Sequence, residues 1–109
     1  MTLDTVYNLG ILYMNQGKLA KAEKMYQRAL QGYEKALGIE DTITYIPALN
    51  TTWCLSSLFE LQADLGKARM MYSKALAGYK KVLEHHHPNI QALYEKLRAL
   101  DTVAEQEAL

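Results

Sequence analysis

Met25-Tyr26-Gln27-Arg28-Ala29-Leu30-Gln31-Gly32-Tyr33-Glu34-Lys35-Ala36-Leu37 returns 46 residues later as Met71-Tyr72-Ser73-Lys74-Ala75-Leu76-Ala77-Gly78-Tyr79-Lys80-Lys81-Val82-Leu83. The register runs backwards without a gap through Ala22/Ala68, Lys21/Lys67, Leu19/Leu65, Gln16/Gln62, Leu12/Leu58, Leu9/Leu55, Thr5/Thr51 and Leu3/Leu49, giving 16 identities in all. A fixed period of this size marks stacked structural repeats rather than a single closed core. Within the quoted stretch Met25/Tyr26, Ala29/Leu30, Tyr33 and Leu37 recur at helical spacing, so each copy reads as one amphipathic helix.

Working outward, the chain predicts five helices. The first covers about residues 4–16, with Leu9 and Leu12/Tyr13 on one face, Thr2 or Asp4 as the capping residue and Gly17 as the stop. The second covers 18–37 and closes at Gly38. Residues 39–46 read as a connection, after which Pro47 suits the first turn of a third helix reaching about Ala63. That helix has no stop glycine, because Ala63 stands where Gly17 stood. The fourth covers 64–83. After His85-His86-His87-Pro88, Asn89 caps or opens a fifth helix running to near the C-terminus. Leu97 and Leu100 follow Leu55 and Leu58 by 42 residues, so this helix reads as half of a third repeat, with a junction four residues shorter than the first.

The 109 residues suit one domain, with repeat one at about 3–38, repeat two at about 47–84 and a half repeat or capping helix at about 89–109. Twelve basic and twelve acidic residues give zero net charge, which supplies no footprint for nucleic acid. The charges are segregated: residues 18–38 and 64–84 each carry +3, and the remainder −6. Cys54 is the sole cysteine, so no internal disulfide forms, in keeping with a reducing compartment. No apolar run approaches a membrane span, and the first residues carry no secretory pattern, so a cytoplasmic protein is expected.

Leu9-Gly10, Tyr13, Ala22, Tyr26 and Ala29, with Leu55, Phe59, Ala68, Tyr72 and Ala75 in the second copy, resemble the tetratricopeptide repeat, whose pattern is W-x2-L-G-x2-Y…A…F…A…P. Val6 and Thr52 stand at the tryptophan position, Ser56 replaces the glycine, and Glu34 and Lys80 replace the proline. The long second helix, the Ala36-Leu37-Gly38 ending and His87-Pro88-Asn89-Ile90 resemble the 42-residue variety of kinesin light chains. The stretch from Asn15 to Leu30 and Asn50-Thr51-Thr52-Trp53 resemble versions common in fungal proteins, where such arrays often sense signals for large ATPases. No phosphate-binding Gly-x4-Gly-Lys-Ser/Thr loop occurs here. The resemblance implies an all-α, right-handed superhelix of helix hairpins, about two and a half repeats long.

It also implies a concave groove lined by the first helix of each hairpin. Asp4, Tyr7, Asn8 and Ile11 would face it from repeat one, Asn50, Trp53, Ser57 and Glu60 from repeat two, and Glu95 from the last helix. In kinesin-light-chain repeats an asparagine matching Asn8 contacts the backbone of an extended peptide; Cys54 holds the equivalent place in repeat two, and Asn50 lies one turn earlier. With Asp4, Glu60 and Glu95 along it, the groove would prefer a neutral or basic protein or peptide. The tyrosines at 26, 33, 72 and 79 read as a packing stripe.

No acid–base pair, nucleophile with its base, or metal-ligand spacing is visible, so no catalysis and no cofactor are expected. His85, His86 and His87 lie in a repeat junction and match the family's His-Pro, so no metal is expected there either. The expected function is a protein–protein interaction scaffold within a larger protein. The alternative is a self-assembling module whose exposed ends stack into oligomers or filaments.

Overall fold

The computed structural model describes residues 1–108. It is helical throughout, with no strand among the described residues, and holds α1 (Leu3–Asn15), α2 (Leu19–Leu37), α3 (Ile39–Thr42), α4 (Ile46–Leu61), α5 (Leu65–Val82) and α6 (Pro88–Ala108). The expected count of five becomes six because the 39–46 connection folds a helix of its own. α3 follows directly from Gly38, whose φ of +84° turns the chain out of α2. Thr42 fastens it, donating its hydroxyl to the Gly38 carbonyl at 2.6 Å while itself buried. Four residues cannot hold a helix on propensity, so that bond and the neighbouring helices supply the stability.

Two other boundaries shift. The third expected helix, α4, ends at Leu61, two residues short of Ala63. The last helix begins at Pro88 rather than Asn89: proline takes the first helical turn, and His87 caps it by accepting the Asn89 amide on Nδ1 at 3.1 Å. At the start of the chain Thr2, not Asp4, is the cap, its hydroxyl accepting the Thr5 amide at 3.2 Å.

α1 packs on α2 and α4 on α5 as two hairpins; α2 lies against α4, and α6 packs on α5. Small residues set these approaches. Ala22, Ala29, Ala68 and Ala75 are all at 0% exposure, at the positions where the helices of each hairpin meet. At Gly10 a Cβ would sit 2.6 Å from the ring of Tyr26, and at Gly78 it would strike Leu49. The corresponding Gly32 lies as close to Leu3, so the first turn of each opening helix seats on a glycine of the next. Repeat two tolerates Ser56 where repeat one has Gly10; the Ser56 hydroxyl is buried and donates to the Thr52 carbonyl at 2.7 Å.

The main core runs from Ala22 and Tyr26 through Leu55, Leu58 and Tyr72 to Ile90, Leu93 and Leu100 on α6. Leu58, Ile90 and Leu93 are at most 1% exposed, and each contributes about 1.5–3 kcal/mol by leaving water. The core therefore passes through every hairpin and locks α6 to the second.

Candidate functional site

A depression of about 380 Å³ opens on one face of the stack, lined by Tyr7 and Met14 of α1, Asn50, Trp53, Cys54 and Ser57 of α4, and Asn89 at the head of α6. Every lining residue belongs to α1, α4 or α6; none comes from α2 or α5. Four residues expected in a groove, Tyr7, Asn50, Trp53 and Ser57, thus meet around one space. Ile11 is half-buried and packs on the core beside them. Asp4, Asn8 and Glu95 are exposed and do not line the depression. Met14 and Cys54 share its lining. Asn89 escaped the sequence reading of the site because it was assigned to helix opening; only the stacking of α6 brings it here.

Tyrosines of α2 and α5 lie buried beneath the depression and bond to residues of α1 and α4. Tyr26, Tyr72 and Tyr79 are at 0% exposure, yet each hydroxyl has a partner. Tyr26 donates to Met14 Sδ at 3.6 Å, Tyr72 donates to Glu60 Oε1 at 2.8 Å and lies 3.0 Å from the Ser57 hydroxyl, and Tyr79 donates to Asn50 Oδ1. Tyr7 lies 3.5 Å from Cys54 Sγ, and its ring is tilted against Tyr26 at 6.1 Å. Three tyrosines of the stripe read as packing, Tyr26, Tyr72 and Tyr79, therefore also bond to side chains of α1 and α4 from beneath the depression. Burial above all raises the pKa of Tyr7, Tyr26 and Tyr72; Cys54 adds to it for Tyr7 and Tyr26, while for Tyr72 the Ser57 hydroxyl lowers it and the Glu60 carboxylate raises it. Burial and Cys54 push Tyr79 up to about 12. At neutral pH all four hydroxyls keep their protons and act as donors.

Two details define the chemistry this surface offers. Asn50 spends its carbonyl oxygen on Tyr79, which leaves its NH₂ without a partner among the described residues and not buried. Trp53 stands edge-on to Tyr79, centroids 6.0 Å apart, and is only partly buried. Glu60 is not a free anion: Lys96 Nζ lies 3.3 Å from its carboxylate, joining α4 to α6. The acidity expected of the groove rests on Asp4 and Glu95 alone. Asn8, expected as a backbone clamp, is exposed and makes no side-chain hydrogen bond among the described residues. The surface thus presents the Asn50 amide beside the Trp53 indole.

Residues 2–42, spanning α1 to α3, match the family model for the tetratricopeptide repeat. Residues 2–42 are therefore similar to one tetratricopeptide repeat. Repeats of this family generally mediate protein–protein interactions and are generally non-catalytic. A search of curated proteins gives no significant match. The matched residues hold the first hairpin, α1 and α2; α4 and α5 form the second, and α1 and α4 both line the depression. No helix among the described residues is long and apolar enough to cross a membrane.

Proposed function

We propose that this chain is a non-catalytic interaction module, part of a larger cytoplasmic protein, that holds an extended, neutral or basic protein segment along α1, α4 and the start of α6. The observation that carries this reading is the depression lined solely by those three helices, with the free NH₂ of Asn50 and the half-buried Trp53 at its centre. Asn50 would donate to a backbone carbonyl of the segment, and Trp53 would supply the buried aromatic anchor on which such interfaces concentrate their affinity. Asp4 and Glu95 would favour basic residues at the rim. Two hairpins and α6 form one stretch of the kinesin-light-chain variety, and further repeats would extend the stack into a right-handed superhelix.

The test is a peptide-array selection followed by titration of the selected peptide against Trp53→Ala and Asn50→Ala, both checked for folding by circular dichroism. The reading requires at least tenfold weaker binding in each. Unchanged affinity in both overturns it. A second reading, end-to-end self-assembly, draws on Leu12 of α1 and Val103 of α6, apolar residues 48% and 37% exposed on the two outermost helices. Sedimentation equilibrium across a concentration series separates the two, since only self-assembly raises the mass.

A further inference from the structure

A second concavity lies behind the first, along the outer face of α5. Two depressions adjoin there, of about 370 and 470 Å³, and share Lys74 and Ala77 in their linings. Together they run from Gly66 to Lys81, about 22 Å of helix, which is the length of a four-turn helix laid alongside. The floor is low because α5 turns Gly66, Ser73 and Ala77 outward there. α3 forms one bank of the deeper end, leaving Ile39 71% and Ile43 50% exposed, and Met70 is 55% exposed in the shallower end. Ile39, Ile43 and Met70 thus offer apolar contacts along the trough.

The charges beside the trough point to its occupant. Lys74 and Lys81 stand seven residues apart on the same face of α5, both exposed and neither in an ion pair among the described residues. Arg69, by contrast, is held by Asp101 at 2.6 Å. The lining's one carboxylate, Glu34, belongs to α2 on the opposite wall. Seven residues are two turns, the same repeat that an amphipathic helix presents along one face. We propose that this trough docks an acidic amphipathic helix of a protein partner, with two carboxylates spaced two turns apart on Lys74 and Lys81 and an apolar side chain between them entering the deeper depression beside Ile43 and Met71. Such a helix-in-groove contact uses a different face and the opposite charge preference from the groove of α1 and α4, so the chain would bridge two partners.

The probe is a fluorescein-labelled, helix-forming peptide of about 15 residues, with two glutamates seven positions apart, a leucine midway and alanine elsewhere on that face. Fluorescence anisotropy is read for wild type, for Lys74→Glu combined with Lys81→Glu, and for Ala77→Trp, which fills the place where the depressions join. All are exposed positions, and circular dichroism verifies the fold. Saturable binding is expected, weakened at least tenfold by each variant, unaffected by Trp53→Ala, and absent for a peptide with lysines in place of the glutamates. Failure of the peptide to bind, equal binding of the lysine peptide, or indifference to Ala77→Trp overturns the proposal. Self-association of the chain that disappears in the same variants also overturns it, in favour of a second copy as occupant.

Discussion

Ala63 is the one non-glycine residue with positive φ among those described, at +61°, and replacing it with glycine should stabilise the protein. The geometry comes from the helix end. At the close of α1 the Lys18 amide reaches back to the Tyr13 carbonyl at 2.8 Å and the Gly17 amide to Met14 at 3.0 Å, with Gly17 at φ +75°. At the close of α4 the same pair recurs: Asp64 to Phe59 at 2.9 Å and Ala63 to Glu60 at 3.0 Å. Both are the paired bonds of a helix stop that needs a left-handed residue. An alanine held there costs roughly 1–2 kcal/mol against its right-handed form. Glycine avoids that cost but is freer in the unfolded chain, by about 0.5–1 kcal/mol relative to alanine. The net expectation for Ala63→Gly is a gain of about 0.5–1 kcal/mol, with a midpoint rise of about 4 °C for a domain of this size. Ala63 is exposed, so no packing is lost with its methyl group. Gly17→Ala should lose about as much, since a Cβ there meets nothing within 4 Å and only backbone strain is added. Urea unfolding followed by far-ultraviolet circular dichroism and Trp53 fluorescence measures both. If Ala63→Gly is neutral or destabilising while Gly17→Ala is harmless, the strain argument is wrong at both junctions.

Ala75→Leu and Ala29→Leu, each at a fully buried helix crossing, should cost about 1–3 kcal/mol by overpacking, read from the same urea melts. Denaturation curves that match wild type would show that the hairpins do not close on these alanines. The tyrosines make the fold sensitive to alkali. Below pH 10 tyrosine is neutral in both states and contributes no pH dependence. From 10 towards 12 the unfolded chain loses protons that native Tyr79 retains, so stability must fall as pH rises. A thermal midpoint that stays flat from pH 9 to pH 11 would contradict the buried placement of these hydroxyls.

Much of this architecture was legible because the repeat states it twice. The matched positions Tyr26/Tyr72, Ala29/Ala75 and Gly32/Gly78 carry the helical period and the small-residue contacts, and the structure uses them in the same way in both copies. The left-handed stop at Ala63 was not legible from its own residue type, since alanine is a strong helix former. It is set by the register of the neighbouring repeat, which requires α4 to end where α1 ended. Nor was α3 legible: Ile39-Glu40-Asp41-Thr42 is too short to show a period, and its helix exists only between Gly38 and the helices around it.

The site divides in the same way. The resemblance placed Tyr7, Asn50, Trp53 and Ser57 on one face, and the four line one depression in the structure. Which of the nine expected residues share one space was not readable, nor that Tyr79 occupies the oxygen of Asn50, nor that Lys96 offsets Glu60. Those facts depend on how far buried side chains reach between helices and on how α6 seats against α5, distances that no spacing along the chain encodes. By itself the sequence determined five of the six helices, because these follow from local period and repetition. The tertiary structure decided the tyrosine hydroxyl bonds beneath the groove and the trough along α5, because both form only where side chains from separate helices converge.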